Sequence, residues 1–243
     1  MKKLAVLILG VFLITSTINA QSWGGKRIKG NGNMTTKERK TSEYDEIDVA
    51  GFFNVELVSG AEGNITIEAE ENLIDYIVTE VNGDRLVIKT KNGYSIRTSM
   101  NRSILVIVPF KDISKVSLSG SGDVVTKNRI KADTFRTNLS GSGDVDLEID
   151  ANRVTANVSG SGDMKLNGNT SDFNCNVTGS GDIHAYELKA KDVTASVTGS
   201  GDVKAYCDGV LKANIVGSGD VTYQGNPTKE ISKVVGSGDV NKG

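Results

Sequence analysis

The sequence predicts an all-β fold, and more narrowly a parallel β-helix, on three observations. The tetrapeptide Gly-Ser-Gly-Asp occurs seven times in the second half of the 243 residues, with its aspartates at Asp123, Asp144, Asp163, Asp182, Asp202, Asp220 and Asp239, in steps of 21, 19, 19, 20, 18 and 19. A repeat near 20 residues is one supersecondary unit that buries its apolar face only against its neighbours. Before each tetrapeptide the chain alternates apolar and polar residues, the period of a strand with one buried face. The strands so marked are about five residues long with no helical period between them, which leaves no room for crossover helices.

Taken in chain order, residues 1–20 read as an export signal. Lys2 and Lys3 form the charged start, Leu4 to Ile14 the apolar run, and Ile18-Asn19-Ala20 a small-residue cleavage site before Gln21. The apolar run falls short of the ~20 residues that span a bilayer, so no membrane span is expected after cleavage. No Cys stands between that run and the cleavage site, so no lipid anchor is expected either. Removal of Lys2 and Lys3 takes the formal charge from −2 to −4, a balance that gives no electrostatic footprint for nucleic acid.

Residues 21–43 are a basic, Gly-rich linker that ends in a first degenerate coil: Gly30-Asn31-Gly32-Asn33-Met34 has the shape of Gly-Ser-Gly-Asp-Val. Residues 44–112 form a less regular β region. Gly51-Phe52-Phe53-Asn54-Val55 is a second degenerate corner after the strand Ile47-Asp48-Val49. Strands are expected at Ile65 to Ala69, Tyr76 to Val81, Arg85 to Thr90 and Ile104 to Val108, with a hairpin turn at Asn82-Gly83-Asp84 and at most one helical turn at Glu71 to Asp75. Because an uncovered solenoid end offers an unpaired strand edge, this insertion is expected to cover it.

Residues 113–243 are the regular array. Its inward residues run large, small, large: Phe135, Thr137 and Leu139; Val154, Ala156 and Val158; Phe173, Cys175 and Val177; Val193, Ala195 and Val197; Leu211, Ala213 and Ile215. Identical positions then stack in rows and fill a narrow core. Past each Asp a second strand starts, as in Val145, Leu147 and Ile149, so the tetrapeptide is a corner. Glycine takes positive φ there without penalty, and Asp is expected to bond backbone N–H groups two residues on. Asn138, Asn157, Asn176, Ser196 and Asn214 form one outward row. Cys175 and Cys207 lie seven residues before and five after their coils' aspartates, on different sides of the coil, which argues against a disulfide.

Four segments together carry a family resemblance: Tyr44-Asp45-Glu46-Ile47 to Gly51, Glu68-Ala69-Glu70-Glu71-Asn72-Leu73, Val106-Ile107-Val108-Pro109, and Lys115-Val116-Ser117-Leu118-Ser119-Gly120-Ser121-Gly122-Asp123-Val124. In this order they resemble the putative auto-transporter adhesin, head GIN domain family, over nearly all of residues 44–240. The resemblance implies an exported bacterial envelope protein, periplasmic or at the cell surface, with a right-handed β-helix and no assigned enzymatic activity. No segment after Asp239 reads as a membrane barrel, so any translocator is expected to be another protein.

Three function classes follow. The first is a non-enzymatic binding module that displays polar rows to a surface ligand, a glycan or a protein. The second is a structural rod that binds calcium along Asp123, Asp144, Asp163, Asp182, Asp202, Asp220 and Asp239. The repeat differs there from the calcium-binding Gly-Gly-x-Gly-x-Asp nonapeptide, and backbone N–H groups are the competing answer to the repulsion within the row. The third is a polysaccharide-active enzyme, which needs paired carboxylates in a cleft. No nucleophile elbow, metal-ligand His pair or phosphate loop occurs, and the single His, His184, sits beside inward Ile183 and is expected to face solvent. No cofactor is expected.

Overall fold

The computed structural model describes residues 25–243, so the export signal lies outside the described residues. The chain winds as a parallel β-solenoid. The strands that precede the seven corners stack with their corner glycines in register, Lys115–Gly120 on Ile130–Gly141, Val145–Gly160, Met164–Gly179, Ile183–Gly199, Val210–Gly217 and Lys229–Gly236. The strands that follow the corners stack as a second ladder from Val124–Thr126 to Val240–Lys242.

The strands are longer than alternation implies. Met164–Gly179 is one run of 16 residues. In the middle coils, Val145–Gly160, Met164–Gly179 and Ile183–Gly199, only the Gly-Ser-Gly-Asp corner ends the strand; at their second corner neighbouring chains stay paired, Ala151 with Thr170 and Thr170 with Ala190. The unequal steps between repeats are absorbed on that side, where the register shifts between Lys165 and Gly168 and between Ala185 and Lys189.

All fifteen inward residues read from the repeat are buried, as are Val145, Leu147, Ile149, Met164, Leu166, Ile183, Ala185, Val203 and Ala205. Cys175 and Cys207 are free and buried. Burial pushes the Cys175 thiol up to about 12, which leaves it an inert small apolar group. Each inward Phe or Leu removes from water a side chain worth about 1.5–3 kcal/mol.

Two further rungs precede the seven, and their order in space is not their order in sequence. Glu46–Gly51 and Asn54–Ser59 lie directly against the first regular coil, with Gly51 in register with Gly120 and Val55 with Val124. Outside them lie Arg85–Thr90 and Leu105–Phe110, also parallel. The chain therefore leaves the rod after Ser59, builds the outermost rung from later residues, and steps back over the earlier one to start the array at Lys115.

The cover itself is antiparallel. Asn64–Glu70 pairs with Met34–Lys40 and with Leu105–Phe110, and Ile77–Asn82 forms a hairpin with Arg85–Thr90 across Gly83-Asp84, Gly83 at φ +71°. Glu71–Tyr76 is a short 3-10 helix. The degenerate coil expected at Gly30 to Met34 is not a rung of the stack. Met34–Lys40 runs against Asn64–Glu70, and Lys26–Lys29 pairs with Tyr94–Arg97 in a separate two-stranded sheet. The reason is local: Met34 to Lys40 carries no inward apolar alternation and is exposed along nearly its whole length.

Candidate functional site

The seven aspartates form one line down the rod, and their hydrogen bonding corrects the expected local turn. Each carboxylate from Asp123 to Asp220 reaches the next coil instead. The backbone N–H of Asp144 donates to Asp123 Oδ1 (3.3 Å), Asp163 to Asp144 (3.1 Å), Asp182 to Asp163 (3.0 Å), Asp202 to Asp182, Asp220 to Asp202 and Asp239 to Asp220 (each 2.8 Å). Each Asp carbonyl in turn accepts the N–H of the residue that follows the preceding coil's Asp, as in Val145 N–H to Asp163 O at 3.0 Å. One carboxylate oxygen is thus committed to the fold, and the other faces outward.

The glycines permit this contact. The first of each tetrapeptide lies at φ between +118° and +141°, from Gly120 to Gly236. A Cβ on Gly162, the second glycine of its corner, would stand 2.0 Å from the carbonyl oxygen of Gly143 below it. Two glycine columns, not one, bring the corners into van der Waals contact.

With the corners so close, three columns run in parallel: the exposed hydroxyls of Ser119, Ser140, Ser159, Thr178 and Thr198; the exposed hydroxyls of the tetrapeptide serines, Ser121 to Ser237; and the carboxylates, of which Asp182, Asp202 and Asp220 are half-buried. The first of these columns was not singled out from the sequence, although the repeat contains it. A shallow cavity of about 310 Å³ opens beside the strip, lined by Asp123, Val125, Asp144, Asp146, Asp163 and Lys165. Among the described residues no three His, Cys, Asp or Glu side chains converge in a way that could hold a metal ion.

The Asn row is an amide ladder. Asn176 Nδ2 donates to Asn157 Oδ1 and Asn157 Nδ2 to Asn138 Oδ1, both at 2.9 Å, and Asn138 Nδ2 reaches Ser117 Oγ at 3.2 Å. His184 is partly exposed in the row of Lys165 and Lys204, its Nε2 4.0 Å from Asp182 Oδ2.

At the covered end a cavity of about 760 Å³ lies among Glu43, Tyr44, Asp45, Glu62, Asp84, Lys111 and Asp112. Its polar groups are largely occupied: the Glu62 carboxylate accepts the N–H of Tyr44 (2.9 Å) and of Lys111 (3.1 Å), and the Tyr44 hydroxyl donates to the Pro109 carbonyl. Burial and the nearby Glu62 charge hold the Tyr44 phenol far above its ordinary value.

The family described as "Putative auto-transporter adhesin, head GIN domain" matches residues 43–227. The chain belongs to this family. The match takes in the out-of-order N-terminal rungs as well as the array; the cover strand Met34–Lys40 and the last corner, Gly236 to Asp239, lie outside it. No curated protein matches. A crystal structure titled a putative lipid binding protein from Parabacteroides distasonis is 31% identical, covering 90% of this chain and 100% of its own, with a TM-score of 0.75. A putative adhesin from Bacteroides fragilis is 24% identical over 88% of this chain and 99% of its own, TM-score 0.79, and another from Parabacteroides distasonis is 22% identical over 90% and 100%, TM-score 0.72. At those identities the last two speak for the fold alone.

Proposed function

We propose that this chain is an exported, non-enzymatic binding module of the bacterial envelope that presents its corner strip to a surface ligand, a glycan or a protein. The observation that carries the reading is the strip itself. Two hydroxyl columns and one carboxylate column are held in fixed register by coil-to-coil backbone bonds, so an extended polar partner meets a pre-ordered surface and little ordering entropy is lost on contact. Membership of an adhesin family supports it. Catalysis draws less support, because the displaced titratable groups have structural causes: Arg129 is held up by Glu148 and Asp150, Glu46 is held down by Lys115 and Arg85 against its own burial, and Cys175 is raised by burial. The relative titled as lipid binding adds a lipid-bearing surface to the partner classes.

The test is binding of the labelled protein to intact cells and to an array of envelope glycans, with protease accessibility on the producing cells measured in parallel. The triple variant Ser142→Ala, Ser161→Ala, Ser180→Ala removes exposed hydroxyls whose loss leaves the backbone ladder intact, and it is expected to lose at least tenfold in binding at an unchanged melting temperature. Full protection from protease together with no binding to any surface overturns the proposal.

A further inference from the structure

The end of the rod away from the array carries an arrangement that the corner strip does not use. Lys26–Lys29 and Tyr94–Arg97 pair in parallel, with Ile28 opposite Ile96 facing the core and Lys29 opposite Arg97 on the other face. Arg27 alternates onto that same outer face. The chain then turns at Ser99 to Arg102, closed by the Arg102 N–H to the Ser99 carbonyl at 3.2 Å. Met100 and Asn101 form its tip. Met100 is 88% exposed, and Asn101, at φ +60°, is the one non-glycine residue with positive φ among the described residues. Arg27, Lys29, Arg97, Met100 and Arg102 line a cavity of about 550 Å³.

The turn is fixed from beneath. The buried Glu70 carboxylate accepts the Ser99 N–H (2.9 Å), the Ser99 hydroxyl (2.6 Å) and the Gly32 N–H (2.5 Å). Asn72 bonds the Lys29 carbonyl and the Asn31 N–H. Some surface cations elsewhere are matched, Arg85 to Glu46 and Asp48, Arg129 to Glu148 and Asp150, Lys165 to Asp146, and others, such as Lys204 and Lys212, stand singly; here four gather around one concavity. Among the described residues, Arg27, Lys29, Arg97 and Arg102 have no carboxylate within 4.0 Å, although the chain as a whole is acidic. The Glu70 carboxylate beneath the turn offsets part of the Arg102 charge; the cations gathered around the concavity still repel one another, and an anion relieves that.

We infer that this end docks on an anionic lipid surface, with the four cations on headgroup phosphates and Met100 in the interfacial layer. A soluble phosphate would use the cations alone. A rigid turn that holds a large apolar side chain in water amid basic groups is the combination that a membrane interface rewards, through apolar burial and about tenfold or less in affinity per basic residue. The inference rests on the binding reading above but on the opposite end of the molecule from most of the strip.

The experiment is co-sedimentation of the protein with phosphatidylcholine vesicles with and without phosphatidylglycerol, at low and high salt. Binding is expected only with phosphatidylglycerol and is expected to weaken as salt rises. Arg97→Gln with Arg102→Gln is expected to lose roughly 30-fold, at about 1 kcal/mol per charge, and Met100→Ser several-fold. Lys204→Gln with Lys212→Gln, which removes the same charge from the array, is expected to change nothing. Arg97, Met100, Arg102 and Lys212 are exposed and Lys204 is half-buried; because the Arg102 charge also acts on Glu70, each variant's melting temperature is measured and binding is compared where all are folded. Wild-type binding by the Arg97/Arg102 variant overturns the inference. So does an unaffected Met100→Ser variant whose vesicle binding is fully competed by inorganic phosphate, which marks a phosphate site instead. Absent vesicle binding with intact glycan or cell binding defeats this inference alone; the reverse pattern defeats the corner-strip reading alone.

Discussion

The array and its cover solve one problem, closing a stack of strands, in opposite ways. In the array every coil repeats the same contacts with the coil before it, so each side chain is defined by its column: Ala156, Cys175, Ala195 and Ala213 in one, Leu139, Val158, Val177 and Val197 in another. In the cover no contact repeats. Arg39 reaches the carbonyls of Ile74 and Ile77, Glu70 gathers Ser99 and Gly32, and strands run antiparallel. Repetition gives a rod whose surface is a lattice; irregularity gives a single concave site. A substitution that offends the lattice should therefore cost more than the chemically identical one in the cover.

The largest contrast is between two glycines. At Gly162 an added Cβ meets backbone, 2.0 Å from Gly143 O, and the coil below cannot yield without parting the ladder. At Gly83 nothing lies within 4 Å and the only penalty is the positive φ. Gly162→Ala should cost more than about 4 kcal/mol, and Gly83→Ala about 1–2 kcal/mol. Chemical denaturation of both variants is the measurement, and equal midpoints would refute the corner packing.

Next comes the small-residue column. Ala195, 1% exposed, sits between Cys175 and Ala213. Phe at this position overpacks the core and should cost about 1–3 kcal/mol, whereas Ser196→Ala on the outer row should fall within about 0.5 kcal/mol of the parent. Equal melting temperatures would contradict the assigned faces.

The same contrast decides what can be read from the sequence. The array is legible because its signal is summed over seven copies: Val158 is assigned inward by Leu139, Val177 and Val197 as much as by its own neighbours. The aspartate line is legible for the same reason. Its hydrogen-bond partners are not, since a donor 19 residues on looks no different from one two residues on until the coils are stacked. In the cover, the hairpin at Gly83-Asp84 and the strand at Arg85 to Thr90 carry local turn and alternation signals, but Met34 to Lys40 does not. It is an exposed strand whose place is set entirely by Asn64–Glu70. The basic cavity is the least legible of all, because Arg27 and Arg97 come together only through long-range pairing.

Acid should separate the regions by a smaller margin. Burial alone would raise the Glu70 carboxylate, but the Ser99 side chain and backbone, the Gly32 N–H and the charge of Arg102 outweigh it and hold the group below its ordinary value. A folded value below the unfolded one means the stabilisation is complete above about pH 4.5 and is lost as pH falls through the depressed folded value. Glu46, in the rung beneath the cover, and Glu80, in its hairpin, are lowered as well; in the array Asp150 is lowered by Asn169 and Arg129 despite its burial. Two of these four groups, Glu70 and Glu80, lie in the cover and one, Asp150, in the array, so the cover is expected to be the more acid-sensitive region. Tyrosine fluorescence from Tyr76 and Tyr94, whose ring centroids are 4.7 Å apart, should change at a higher pH than the strand circular dichroism, and Glu70→Gln should flatten that early limb. Coincident transitions would place the weakness elsewhere.

The smallest expected effect is at the aspartate line, and it separates a structural role from a cation site. Neighbouring carboxylates one rung apart, about 4.8 Å, repel by ~0.9 kcal/mol in water. Each is answered by one backbone N–H from the next coil, 3.0 Å from Asp163 Oδ1 and 2.8 Å from Asp182 Oδ1. Asn keeps that acceptor and drops the charge. The molecule already holds amides at rung spacing, with Asn157 and Asn176 bonded at 2.9 Å on the strand that leads into the corner. Asp163→Asn with Asp182→Asn should therefore leave stability within about 0.5 kcal/mol of the parent or raise it, with no dependence on calcium or chelator. If the row binds calcium through its outward oxygens, the parent's melting temperature should instead climb with added calcium by RT ln(1 + [Ca]/Kd), and the double variant should lose that climb, because amide oxygens are poorer ligands for a hard cation than carboxylates. A calcium-dependent rise of several degrees, abolished by the two substitutions, would make the outward oxygens a cation site and reduce the N–H ladder to its support.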